Sequence, residues 1–409
     1  MESYDEHLYG WRRVGLLTPS EPSAMQLSVT DDISTVSADD WNHLAQQENY
    51  SPFLEHEFLL SLEQSHCASA ANGWYPRHFL LKDSKKLIAA APTYIKTHSM
   101  GEFVFDQGLA QAVMALGKNY YPKLVATLPF TPSPGYRFLI DSAFSRTAVS
   151  DVLLKGMNEL RRKVQLASSS ILFVDPQWDF RFENHLCWVH QYFLWENSDY
   201  RNFEDYLSRF RKKQRRNIIR ERTSIAEQGI CVRALTGDEI TSDLMDRMYE
   251  YYLNTNESFG PWAALYLNRE WFRRVGSIWK HRILLFGAWM DGDSEPIALS
   301  MVIRKNRLMV GRYWGCNRYL KNLHFELCYY APVEYAIREG VKQFDPGMGS
   351  VHKVRRGFGS REFVSYHIFS DSEIATLFQT LLPQANAMER ESIQLLDASI
   401  PWSKSRGGI

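Results

Sequence analysis

RILLFGAWMDGDSEPIALSMVIRKNRLMVGRYWG, Arg282 to Gly315, reads as three strands separated by two short turns. Its middle strand, PIALSMVI, is apolar with small residues, and a basic turn leads to an aromatic third strand. An earlier stretch, HFLLKDSKKLIAAAPTYIKTHSMGEFVFD, His78 to Asp106, follows the same order, with LIAAAPTYI in the middle place and a third strand expected over its last residues. The likeness continues downstream. VSDVLLKGMNELRRKV is an amphipathic helix leading into ILFVDPQW, and ELCYYAPVEYAIREGV is a helix leading into KQFDPGM. Proline and glycine at strand ends explain part of this, but two matched orders of elements point to an internal duplication of an α+β unit.

Between the copies lies FEDYLSRFRKKQRRNIIRERTSIAEQGICVRAL. Phe203, Tyr206, Leu207, Phe210, Ile218 and Ile219 are spaced for one helical face that a basic run interrupts. Gly229 is placed to stop the helix before the strand ICVRAL. SEIATLFQTLLPQANAMERESIQLL reads as helical with a break at Pro383. The expected organisation is therefore a loose, polar leader over residues 1–25, a first domain over 26–196, a basic connecting helix over 197–229, a second domain over 230–370, and a C-terminal helix and tail over 371–409.

The 409 residues suffice for two ordinary domains, and 45% hydrophobic with 14% aromatic content allows large cores. Formal net charge is zero, so charge-driven binding must come from local clusters. No apolar run reaches membrane-spanning length, and the acidic start MESYDEHLYGWRR lacks the basic and apolar regions of a secretory signal. The five cysteines are scattered without a CxxC, and the twelve histidines show no HExxH or HxH. A reducing cytoplasm and no metal site are the expectation.

Several motifs together resemble a bacterial family of N-acyltransferases related to the FemAB peptidoglycan aminoacyl transferases. They are SPFLEHEFLLSLE, GWYPRHFLL, YYPKL with PFTPSPG, GRYWGC, LHFELCYY and FDPGMGSVHKVRRGFG, and the resemblance runs from about residue 50 to 380. It implies two tandem GNAT-like domains, each a mixed, mostly antiparallel sheet flanked by helices, in agreement with the duplication. It also implies transfer of an acyl or aminoacyl group from an activated ester or thioester to an amine of a small-molecule or peptide acceptor. The donor would be acyl-CoA or aminoacyl-tRNA as co-substrate, with no tightly bound cofactor. KKQRRNIIRERTSIAEQGI holds the place of the family's basic helix, and Lys353 matches a loop lysine thought to neutralise charge at the reacting ester. Where relatives often carry an acid just before the His-Lys pair, Val351 stands here. That departure sustains a rival reading: a degenerate, non-catalytic pair of domains binding an anionic or peptidoglycan-like ligand.

The candidate residues each have a plainer alternative. In Phe344 to Ser360, Gly347, Gly349 and Gly359 permit positive φ, and His352, Lys353 and Arg356 offer cations to a phosphate, a carboxylate or a tetrahedral oxyanion. The alternative is a solvated basic turn. A helix starting near Asn322 or His324 presents unpaired N–H groups, yet CNRYLKNLHF lacks the glycine-rich loop with which GNAT domains hold pyrophosphate. His324 and Glu326 are candidates for a general-base pair, against a helix cap and a residue favoured by the helix dipole. Strand alternation puts Arg312 and Trp314 on one face and Tyr313 on the other, for ligand recognition or for packing. Lys212, Lys213, Arg215 and Arg216 lead the strongest charge run, suited to donor phosphates (tRNA among them) or to a solvated helix face. The Lys96–Ser99 turn and the Pro129–Gly135 loop are candidates for an acceptor pocket, or simply turns. No arrangement around Cys316 or Cys328 makes a dedicated nucleophile, so direct attack in a ternary complex is the expected mechanism.

Overall fold

The computed structural model describes residues 25–47, 50–180, 182–260, 263–349 and 351–403, and the leader expected over 1–25 lies almost wholly outside them. The chain forms two compact units, one from residues 1–190 with 363–388, the other from 191–362 with 389–409. These units do not follow the linear boundaries expected above. Residues 363–388 belong to the first unit, and 197–229 is built into the second rather than connecting two domains.

In the first unit, β1 (Met25–Thr30), β3 (His78–Asp83), β4 (Lys86–Ala91) and β7 (Leu139–Ile140) form an antiparallel sheet in the order β1-β3-β4-β7. A second set pairs β2 (Trp74–Pro76) with β5 (Thr93–Lys96), β5 with β6 (Lys123–Ala126), and β6 in parallel with β8 (Ser168–Ile171). Helices α1 (Ala38–Ala45), α2 (His56–Gln64), α3 (Gln107–Ala115) and α4 (Arg146–Lys163) complete it. Pro92 explains why LIAAAPTYI is two strands in two sheets. It has no N–H for a ladder, and the chain changes partner there from β3 to β2 and β6.

The third strand expected over Glu102–Asp106 does not form. Phe103 and Phe105 have φ of 63° and 58°, outside the extended region. Glu102 and Asp106 turn inward instead, 2.7 and 2.9 Å from the Lys123 amine. The burial of a lysine thus overrides an alternating sequence pattern.

In the second unit the three-strand reading holds. β10 (Ile230–Thr236), β11 (Ile283–Met290), β12 (Ala298–Lys305) and β13 (Leu308–Cys316) are antiparallel neighbours, and β14 (Gln343–Asp345) joins β13 in parallel. β9 (Leu186–Glu196) then pairs with β14 through Trp195 and Glu196. β15 (Gly359–Phe369) pairs in the first unit with β8 through Tyr366–Phe369.

α5 (Phe203–Ser208) and α6 (Lys212–Glu227) bury Phe203, Tyr206, Leu207, Ile218 and Ile225 in the core of the second unit. Ile219, expected on that face, is exposed, since the break before α6 rotates the stripe and Ile225 takes the place. α7 (Ser242–Glu257) and α8 (Arg269–Ile278) supply Tyr252, Trp271 and Phe272, whose rings lie 5.3–5.8 Å from Tyr313 of β13. α9 runs through Leu323–Phe325, a π-helical turn Glu326–Tyr330, and Ala331–Arg338. α10, Ser372–Ala398, runs unbroken with Pro383 inside it, so the expected break is absent.

Candidate active site

The loop after β14 is organised by one carboxylate. Asp345 is buried and accepts a hydrogen bond from the Gly347 N–H at 2.8 Å, closing a tight turn after Pro346. Gly347 and Gly349 take φ of 79° and 135°, as their sequence suggested, and a Cβ on Gly347 would meet the Gly311 carbonyl at 2.8 Å. Gly359 begins β15, and the remaining positive φ belongs to Gly357, at 80°.

Lys353 follows in this loop with 1% of its surface exposed. Its Nζ donates to the Gly347 carbonyl and lies 5.4 Å from the Phe193 ring centroid. Burial lowers its pKa to about 8, while Asp345 and then Cys328 pull the other way. The result is a lysine held in a dry place with only partial compensation. His352 beside it is exposed, and its carbonyl accepts from Arg356 at 2.9 Å.

Arg356 is buried rather than waiting at the surface. Its guanidinium lies 3.4 Å from the Phe325 ring centroid and donates to Glu221 of α6 at 2.8 Å. Tyr330 donates to the same carboxylate. Next to it, Arg222 reaches Glu326 at 2.9 Å and Glu334 at 2.6 Å. Glu326 is therefore an ion-pair partner that locks the π-turn to α6, not half of a base pair with His324. Burial raises its pKa and Arg222 opposes that rise.

His324 sits half-buried with its ring 4.7 Å from Trp314 and 5.3 Å from Tyr329. Burial, then the charges of Arg356, Lys353 and His352, lower its pKa to about 4. At neutral pH it is an uncharged imidazole and a weak base, which argues against the general-base role its position suggested. Cys328 is likewise no nucleophile. Its thiol is 3.6 Å from the Ser300 hydroxyl and burial pushes it up to about 12.

β13 carries a bulge that the alternation argument missed. Tyr313 pairs with Met301 but Gly311 pairs with Val302, which leaves Arg312 as the extra residue. Arg312 consequently turns beside its neighbour, donating to the Tyr313 hydroxyl at 3.1 Å, while Trp314 faces His324. Trp314, His324, Phe325, Arg356 and Lys353 fall in one neighbourhood.

The basic run divides in two. Its last member, Arg222, is consumed by the contacts just described. In its first half, Lys212, Lys213 and Arg216 are exposed and Arg215 half-buried, and none of the four makes an ion pair among the described residues. The Gln214 amide donates to the Arg355 carbonyl at 2.8 Å, which ties this end of α6 to the Lys353 loop. Sequence reading missed Asp345 and Phe325. FDPG at a strand end was the available signal for Asp345, whereas Phe325 is defined only by its ring contact with Arg356.

Among the described residues no helix is long and apolar enough to cross a membrane, and no group of three or more His, Cys, Asp or Glu side chains is arranged to hold a metal ion. No curated protein matches the chain. Its fold is similar to that of FemX (10% identity over 85% of this chain and 98% of that one, TM-score 0.49). It is also similar to L-PGS from Bacillus licheniformis (7%, 79% and 94%, TM-score 0.45). A tandem GNAT protein from the clavulanic acid biosynthesis pathway is a third such structure (10%, 85% and 99%, TM-score 0.41). The fold is α+β, in two compact units. A family model described as peptidoglycan biosynthesis/recognition matches residues 32–404, nearly the whole chain, and the protein belongs to this FemAB-like family.

Proposed function

We propose that the protein is an N-acyltransferase that moves an acyl or aminoacyl group from an activated ester or thioester to the amine of a peptide or small-molecule acceptor. The observation that carries this reading is Lys353, buried on a glycine-hinged loop with a pKa near the operating range. In the reaction the amine nitrogen attacks the acyl carbon, the carbon–oxygen or carbon–sulfur bond breaks, and an amide and a free alcohol or thiol leave. Lys353 as a cation offsets the negative charge that develops on the acyl oxygen. A pKa of about 8 also suits it to pass a proton to the leaving group and regain one from the attacking amine. The unpaired cations at the start of α6 would hold the donor's phosphates. Val351 does not leave the loop without an acid, because Asp345 supplies a buried carboxylate that acts on Lys353.

The test is transfer of radiolabel onto a peptidoglycan-type peptide amine, from a charged tRNA pool and from acyl-CoA in parallel. Lys353→Met is expected to lower kcat/KM by about 10²–10³. The wild-type rate should fall above pH about 8, as Lys353 loses its charge, and Lys353→Arg should move that fall beyond the measured range. Donor affinity that drops steeply with salt would identify the tRNA, and shallow dependence the thioester. Full turnover in Lys353→Met would sink the reading.

A further inference from the structure

The first unit contains a groove of about 930 Å³ at the foot of α4, lined by none of the residues placed in the candidate active site. Lys118, Asn119, Arg161, Arg162, Gln165 and Ser370 line it, with Asp371 at its edge. Its charge is unbalanced in an informative way. Asp371 is already bound, 2.8 Å from the Lys118 amine, and Glu373 adds a second carboxylate to the same lysine at 2.9 Å. Neither Arg161 nor Arg162 makes an ion pair among the described residues. Arg161 is only 9% exposed and donates to the Ser370 hydroxyl at 2.5 Å, and its buried Nε has no hydrogen-bond partner. Arg162 uses its Nε on the Asn158 carbonyl of its own helix at 3.3 Å. Burial, with the charge of Arg162 adding to it, lowers the pKa of Arg161.

Two arginines that line one groove without a carboxylate partner leave two positive charges that a dianion would match. A phosphate monoester carries close to two negative charges at pH 7 and offers three strong acceptor oxygens. Arginine forks suit that geometry. The asparagine, glutamine and serine beside them offer neutral donors and acceptors of the kind that hydroxyl groups require. We propose that this groove binds a phosphorylated polyol or sugar, with Arg161 and Arg162 on the phosphate. Gln165 is part of the same arrangement. It follows the C-cap of α4 with φ of 55°, a conformation that glycine adopts more cheaply, and a glycine there would leave no side chain at the lip.

The experiment is calorimetric titration of the full chain with glucose 1-phosphate, inorganic phosphate and citrate. Saturable binding of glucose 1-phosphate is expected, with phosphate weaker and citrate weakest. Arg162→Ala should weaken it at least tenfold without changing the thermal midpoint. Gln165→Gly should raise the midpoint while weakening binding several-fold, a combination that damage to the fold does not produce. Changing Lys212, Lys213, Arg215 and Arg216 together to glutamine should leave this binding as it was. Absence of saturable binding, an unaffected Arg162→Ala, preference for citrate, or loss in the α6 variant would each overturn the proposal.

Discussion

Both units bury a lysine, and they treat it in opposite ways. Lys123 in the first unit has two carboxylates within 2.9 Å and a third contact to the Ser99 hydroxyl at 2.8 Å. Burial alone would depress its pKa, but Glu102 and Asp106 outweigh it and hold the amine above the ordinary lysine range. Lys353 in the second unit has one carbonyl and one carboxylate acting on it, and burial wins. The first holds its cation between two buried carboxylates. The second keeps its cation under-compensated, so a negative charge arriving nearby gains more from it than from a lysine already neutralised. Burial by itself does not mark a site. The balance of partners does.

The contrast predicts opposite signs for the same substitution. Lys123→Met strands Glu102 and Asp106 as two buried carboxylates without a cation, and the expected loss is about 3–5 kcal/mol of stability. The change should appear in urea unfolding of the full chain, and the triple variant Lys123→Met, Glu102→Gln, Asp106→Asn should recover much of it. Lys353→Met removes a cation that burial already disfavours, so its stability at pH 7 should equal or exceed the wild type. If both variants lost stability alike, the distinction between a fastened and a poised lysine would fail.

The repeated order of elements shows in the sequence because strand and helix periodicities are local, and β10 to β14 can be read almost residue by residue. What hid was anything decided by distant partners. Phe103 and Phe105 alternate like a strand, yet Lys123, some twenty residues away, draws their neighbours Glu102 and Asp106 inward. The basic run gives no sign that Arg222 will meet Glu326 and Glu334 while Lys212 and Lys213 form no ion pair among the described residues. Arg312 illustrates a third limit, since one inserted residue in a ladder reverses a face assignment and leaves no mark in the composition. Lys353 was legible from the glycine-hinged basic loop and from the family resemblance, and the structure adds its burial and lowered pKa.

Lys96 sharpens the comparison from within the first unit. It is fully buried, its amine 3.7 Å from the Trp74 ring centroid and 3.1 Å from the Met100 carbonyl, and burial lowers its pKa to about 7 against the pull of Glu102. Between pH about 7 and 10.5 the unfolded chain binds a proton here that the folded chain does not. Stability therefore rises with pH across that window, by roughly 1 kcal/mol per unit, and is flat and lowest below it. Lys96→Met should remove this slope, so the variant exceeds the wild type most at pH 6 and least near pH 10. Chemical denaturation at both pH values measures it. An equal difference at the two would mean that Lys96 is charged throughout and compensated like Lys123.

The smallest effect concerns the cations that neither network uses. Lys212 and Lys213 occupy the first turn of α6, where the unpaired N–H groups already carry partial positive charge. A lysine there is unfavourable by about 0.3–1 kcal/mol when exposed. No carboxylate side chain stands in that first turn to offset it. Lys212→Gln with Lys213→Gln should thus stabilise the protein by about 0.5–1 kcal/mol, visible as a small rise in the denaturation midpoint, while weakening donor binding and flattening its salt dependence. A fold that tolerates this cost at one helix end, having neutralised Arg222 at the other, has left the charge free for a ligand. Stabilisation without any loss of donor affinity would instead make these lysines a solvated face, and would confine the working electrostatics of the second unit to Lys353.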